Sequence, residues 1–191
     1  MGKLPAYMKF STDGKPLPGS TICSGNVRIT VITPRLIRLE QGSWTDSAST
    51  VVLHRDFCPC SFTVKESPEL LTVETEYLKI CYRNGTTLSE GLSIRGLTEP
   101  GFIWRFGKKP LQNLGGTVST LDGIEGACPM GEGVCSIDGY AVIDDSESLL
   151  FDEEGWLLQQ EQRQGQNQDQ ENIQEAMFWV WQGGSCHCGM P

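Results

Sequence analysis

Val27-Arg28-Ile29-Thr30-Val31-Ile32-Thr33-Pro34-Arg35-Leu36-Ile37-Arg38-Leu39-Glu40 holds two alternating runs with a proline between them. Apolar residues every second position put one side of a strand on a core. Pro34 cannot donate to a ladder, so it marks a turn and not a strand interior. The stretch therefore predicts two strands joined at Thr33-Pro34. Working outward, Val51-Val52-Leu53 is a further short β-branched run, and Ser61-Phe62-Thr63-Val64-Lys65 alternates again. Glu66-Ser67-Pro68-Glu69 supplies a turn before Leu71-Thr72-Val73-Glu74-Thr75. Tyr77-Leu78-Lys79-Ile80-Cys81-Tyr82 then places Leu78, Ile80 and Tyr82 on one face. Arg83-Asn84-Gly85 is a turn signal, Gly91-Leu92-Ser93-Ile94-Arg95 another strand, and Tyr140-Ala141-Val142-Ile143 the last. Short strands at close spacing, with no long amphipathic helix among them, predict an all-β antiparallel sandwich.

Composition narrows what such a domain does. The 191 residues carry a net charge of −9 and are 38% hydrophobic. A negative surface repels phosphate backbones and anionic lipid, so neither nucleic acid nor membrane is an expected partner. The first ten residues lack a continuous apolar run, which predicts a cytoplasmic protein. Eight cysteines are present. Cys58-Pro-Cys60 and Cys186-His187-Cys188 space their thiols by one residue, where structural zinc sites use two to four. Free thiols are expected, with no metal and no cofactor.

Three regions depart from the strand pattern. Residues 1–25 are rich in Pro, Gly, Ser and Thr and read as a loose lead-in. Residues 113–139 hold Gly115, Gly116, Gly123, Gly126, Gly131, Gly133 and Gly139, too many for regular strands, and read as long shaped loops. Residues 159–174 are nearly all polar with no apolar period, and Met177-Phe178-Trp179-Val180-Trp181 follows abruptly. The sandwich is thus expected over 26–157, and 158–191 as a disordered tail that packs little against it.

The order of three stretches resembles the N-terminal domain of family-31 glycoside hydrolases, the α-glucosidase and α-xylosidase family. They are the 27–40 hairpin, Asn113-Leu114-Gly115-Gly116-Thr117 with Thr120-Leu121-Asp122-Gly123, and Gly139-Tyr140-Ala141-Val142-Ile143-Asp144-Asp145-Ser146. Trp104 and Gly107 also fit. The resemblance implies a galactose-mutarotase-like β-sandwich preceding a (β/α)₈ barrel. In that family the barrel carries an Asp nucleophile and an Asp acid/base, two carboxylates roughly 5–5.5 Å apart across the anomeric carbon. No Trp-x-Asp-Met-Asn-type nucleophile strand occurs here, and the residues after Trp156 are too few for a barrel of about 250 residues. The implied role is non-catalytic: shaping the pocket for an α-glycoside. By that likeness Ser136-Ile137-Asp138-Gly139-Tyr140 is the loop that reaches the sugar, which makes Asp138 and Tyr140 the candidate substrate-binding residues. Ile137 stands where relatives carry Arg, and Tyr140 where they often carry Trp. The tail is expected to be a frameshifted or mis-spliced continuation. Read one nucleotide later, codons allowed for 177–182 can spell Cys-Phe-Gly-Tyr-Gly, similar to the family's turn toward the barrel.

The residues themselves leave other readings open. Asp138 beside Gly139 is also a favoured turn pair. Asp144 and Asp145 are adjacent on a strand and so point to opposite faces, which prevents them from flanking one bond. Trp44, Trp104, Tyr140 and Trp156 offer flat rings for sugars, or core and interdomain packing. Asn113-Leu114-Gly115-Gly116-Thr117 lacks the Lys-Ser/Thr of a phosphate loop, and His54 lacks a nucleophile motif. Two rival functions remain beside the glycosidase domain: a free-standing carbohydrate-binding sandwich, and an orphan domain whose exposed apolar patch binds other proteins.

Overall fold

The computed structural model describes residues 5–9, 11–99, 101–116, 122–128, 130–158 and 176–182, and within 176–182 only the Val180 side chain. Two five-stranded antiparallel sheets dominate it. The first contains β1 (Thr21–Ser24), β2 (Val27–Thr33), β3 (Leu36–Gln41), β9 (Tyr140–Asp144) and β12 (Ala176–Gln182), in the order β1-β2-β3-β12-β9. The second runs β4 (Thr63–Glu66), β5 (Leu70–Glu74), β6 (Leu78–Arg83), β7 (Leu92–Gly96) and β8 (Ile103–Arg105) in chain order. A four-residue helix, α1 (Leu88–Gly91), links β6 to β7, and β10 (Leu150–Phe151) pairs with β11 (Leu157–Leu158). One buried cluster joins the sheets. Val27, Ile29, Val31, Ile37, Leu39 and Val180 come from the first, and Leu71, Val73, Leu78, Ile80, Ile94 and Trp104 from the second. The all-β sandwich expected from the alternation is the fold.

The hairpin that decided the reading forms as expected, with Pro34-Arg35 turning between β2 and β3 and a bulge between Val31 and Thr33. The turn is also an inter-sheet clasp. Thr75 Oγ1 donates to the Pro34 carbonyl at 2.6 Å, and the Arg35 guanidinium lies 3.5 Å above the Tyr77 ring. At the other end of β3, Gln41 Oε1 accepts the Leu88 N–H at 2.6 Å, satisfying a buried donor at the start of α1.

Three expectations need correction. Val51-Val52-Leu53 is not a strand. Val51 is exposed, and the segment makes turn bonds such as Ser49 N–H to the Val52 carbonyl. Its β-branched residues serve a connection that runs across the outer face of the first sheet. The lead-in is not loose throughout 1–25. β1 pairs with β2 from Thr21↔Thr30 to Ser24↔Val27, and Asp13 bonds Leu53 and Arg55 through its backbone. Gly14 lies so close to the backbone of Asp46, Ser47 and Ala48 that a Cβ there has no room. The third correction concerns the tail. Residues 158–175 contribute Leu158 to β11, with 159–175 outside the described residues. At Ala176–Gln182, however, the chain is a strand between β3 and β9, and Val180 is fully buried. A continuous apolar run suits a strand with a neighbour on each side and covered faces. The sandwich therefore extends past residue 157. Residues 183–191, including Cys186-His187-Cys188, lie outside the described residues.

The outer face of the first sheet is buried as well. Arg28 and Thr30 of β2 and Arg38 and Glu40 of β3 alternate with the core residues, yet all four are buried. Residues 45–55 cover them, tied down by Thr50 N–H to the Leu149 carbonyl and Phe151 N–H to the Ala48 carbonyl. Glu40 sits at the centre. Its carboxylate accepts from Arg28 Nε at 2.6 Å and Nη2 at 2.9 Å, and from Arg38 Nη2 at 2.8 Å. Arg28 Nη1 reaches Asp46 at 2.8 Å, and Arg55 donates to the Thr45 and Ser47 carbonyls at 3.0 and 2.6 Å. Burial is the largest influence on the Glu40 carboxyl and acts to raise it. The hydrogen bond from Arg28 and the charge and hydrogen bond of Arg38 outweigh it and hold the carboxyl below the ordinary carboxylate range. Burial, then the charge of Arg38, pushes the Arg55 guanidinium down to about 9.

Candidate functional site

The candidate loop belongs to the long excursion between β8 and β9. Its two legs pair locally. Asn113 and Ser136 form a bridge, Leu114 N–H bonds the Cys135 carbonyl, and Ile137 N–H bonds the Gln112 carbonyl. The Asn113 carboxamide clamps the legs. Oδ1 accepts from Gly115 and Gly133 N–H at 2.8 and 2.9 Å, and Nδ2 donates to the Gly133 carbonyl at 2.6 Å. A Cβ at Gly133 would collide with the Gly115 carbonyl, and Gly115 holds φ at 67°. The glycines are thus required for close approach of two backbones. The role of Asn113 and Gly115 here is to brace a loop.

Asp138 is half-buried, and its Oδ2 accepts the Gln112 N–H at 2.9 Å. This bond ties the outgoing leg to the returning one just before β9, and Gly139 makes the turn at φ 83°. Tyr140 opens β9. The residue is 9% exposed and its ring centre lies 4.7 Å from that of Phe102, while Ser136 Oγ donates to its carbonyl at 2.8 Å. Burial first, then the charge of Asp138, raises the phenol above its ordinary value. The structure thus brings Asp138 and Tyr140 together, but the aromatic face expected to meet a sugar faces the core. Ile137, just before Asp138, is exposed.

Asp144 and Asp145 diverge, as strand alternation predicts. Asp145 is fully buried and accepts from Ser49 Oγ at 2.8 Å, so it anchors the outer-face segment. Asp144 is exposed and accepts the Ser146 N–H at 3.0 Å. It lines a cleft of about 310 Å³ between β8 and β9, with Trp104, Lys108, Pro110, Val134 and Val142 on its walls. Lys109 and Glu132, an ion pair of 2.8 Å, also border it. Trp104 is almost wholly buried, and its indole N–H donates to the Lys108 carbonyl at 2.8 Å. Sequence reading singled out Asp144 and Trp104 separately. Lys108 and Val142 were missed, because nothing in their spacing says that edge strands of two sheets meet there.

Other singled-out groups stand apart. Trp44 is partly exposed with the Arg28 guanidinium 5.6 Å from its ring centre, and the Trp156 N–H bonds Asp152. His54 Nδ1 is 3.8 Å from Asp56 on the surface. Cys23, Cys58, Cys81 and Cys135 are free thiols. Among the described residues no three His, Cys, Asp or Glu side chains gather as metal ligands, and no helix is long and apolar enough to cross a membrane. No protein-family model matches the chain, and no curated protein matches it.

Proposed function

We propose that this chain is the non-catalytic N-terminal domain of a family-31 α-glycosidase, shaping the carbohydrate pocket of a barrel that this sequence does not contain. The observation that carries the reading is the braced excursion between β8 and β9. It leaves the edge of an antiparallel sandwich and returns through Asp138, whose carboxylate joins the two legs by its bond to Gln112 N–H. Bracing at both feet holds Asp138 in one geometry, which is what a neighbouring domain's pocket needs. The exposed Leu111, Leu114, Met130 and Ile137 on the same excursion fit burial against such a neighbour. Two features set this chain apart within the reading. Ile137 removes the Arg expected beside Asp138, and Tyr140 packs inward on Phe102, so Asp138 is the residue left to meet an α-glycoside. The free thiols of Cys23 and Cys58 fit a reducing, cytoplasmic setting.

Two measurements test the proposal together. The purified chain is expected to release no nitrophenol from aryl α-glucoside or α-xyloside, since no residual positioning replaces a missing nucleophile. The genomic DNA is expected to encode a barrel with a Trp-x-Asp-Met-Asn-type strand downstream of these residues. Turnover that persists through removal of host enzymes, or a downstream kilobase or so with no such strand in any frame, overturns it.

A further inference from the structure

The cleft between β8 and β9 lies beside Asp138, and the legs of the same excursion give it Asn113, Glu132, Gly133 and Val134. It opens where the edge strands of the two sheets part, and the braced legs of the excursion roof it. Its floor and walls are apolar: Trp104, Pro110, Val134 and Val142. Its charges balance, with Lys108 and Lys109 against Glu132 and Asp144. Lys109 and Glu132 are already joined at the rim. That leaves Lys108 and Asp144 as the other two charged residues of a lining that is otherwise largely apolar. A net-neutral cleft has no field to concentrate an anion or a cation. A carboxylate accepts two neighbouring hydroxyls through charge-assisted bonds, an ammonium donates to a third oxygen, and the apolar wall receives C–H groups. The volume is at the small end of ligand clefts, about 300–1,000 Å³, which limits the occupant to one or two rings.

We infer that this cleft binds a neutral sugar unit, held by Asp144 and Lys108 over a wall of Val134, Val142 and the edge of Trp104. For the ligand class it rests on the carbohydrate reading above, but different residues hold the ring. In a pocket-shaping domain it would hold an outlying ring of the substrate or of a neighbouring chain, away from the bond that is cut.

The probes are methyl α-glucoside, maltose and inorganic phosphate, titrated into the full chain. Binding is followed by calorimetry and by the indole N–H resonance of Trp104, which the Lys108 carbonyl holds. Saturable binding of a saccharide with a shift of that resonance is expected. Asp144→Asn and Lys108→Met should each weaken it about tenfold or more, the loss of a hydrogen bond to a charged group. Glu74→Gln, on the second sheet outside the cleft, should change it less than about twofold. Unchanged melting of the variants shows that the fold is intact; the carboxamide introduced by Asp144→Asn keeps an acceptor for the Ser146 N–H. Absence of saturable saccharide binding, binding indifferent to both cleft variants, or tighter binding of phosphate than of either saccharide overturns the inference. Binding lost only in Asp138→Asn overturns it too, while leaving the pocket-shaping reading in place.

Discussion

The two sheets carry the same alternating pattern in sequence and meet different surroundings. In the second sheet β5, β6 and β7 bury alternate residues and leave the others partly or fully exposed, and β4 is exposed throughout. In the first, β2 is buried at every position and β3 nearly so. Alternation therefore shows which side of a strand meets the core, and is silent on whether the polar side meets water. Where it does not, charges must pair. Glu40 is 1% exposed between two arginines, while Glu74 in the second sheet faces Lys79 at 3.1 Å across β5 and β6 with both side chains more than two-fifths exposed.

The sharpest way to break the comparison is to remove β12. A chain ending at Leu158 leaves the facing edges of β3 and β9 without partners and takes Val180 out of the core. Buried unpaired backbone groups are too costly to retain the sheet. Cooperative thermal unfolding followed by circular dichroism should be lost. A melt equal to that of the full chain would show that β12 does not hold the first sheet together.

Next in size is Glu40→Ala. It strands two buried guanidinium groups, and breaking a buried pair by removing one partner costs about 3–5 kcal/mol. Urea unfolding at neutral pH measures it, and a loss under about 1 kcal/mol would mean that water reaches the outer face. The same carboxylate sets an acid limit. Its folded pKa lies below its ordinary, unfolded value. Its stabilisation is complete above that value and is lost as pH falls through the folded pKa. Wild type should therefore lose more stability than Glu40→Gln between neutral pH and the acid range. Parallel declines of the two proteins would place the acid-sensitive group elsewhere.

Gly14→Ala tests the cover over that face. The added methyl meets the backbone of Asp46 to Ala48, and overpacking costs about 1–3 kcal/mol. Faster proteolysis of residues 11–15 with an unchanged midpoint would show instead that the lead-in detaches alone. The smallest effect belongs to Glu74→Ala, under about 1 kcal/mol because its pair is solvated. Equal losses at Glu74 and Glu40 in urea would erase the distinction between the sheets.

Most strands were legible because their apolar residues alternate beside plain turn signals, as at Pro34 and at Asn84-Gly85. β1 was hidden in a Ser- and Thr-rich lead-in, and β8 is three residues long. β12 was misread for a physical reason. A strand with a neighbour on each side needs no alternation, and its partners β3 and β9 are distant in sequence, so the apolar run looked purposeless after a polar one. Val51–Leu53 failed in the opposite sense: β-branched residues suit a strand, but these lie on a surface connection. At the candidate site, the likeness named Asp138 and Tyr140, and alternation correctly separated Asp144 from Asp145. Which way the Tyr140 ring turns, and that Lys108 and Asp144 share a cleft, depend on contacts between sheets that local pattern does not encode.

The position of β12 also bears on how the protein is made. A ribosome delivers β3 early and β9 much later, and the strand that joins them emerges last among the described strands. Until then the nascent chain carries two open sheet edges, the kind of template that invites pairing with other chains. Closure must wait for synthesis to pass residue 182, and pairing so distant in sequence is slow to form. A polysome crowded with such half-closed chains is where this fold is most exposed to aggregation.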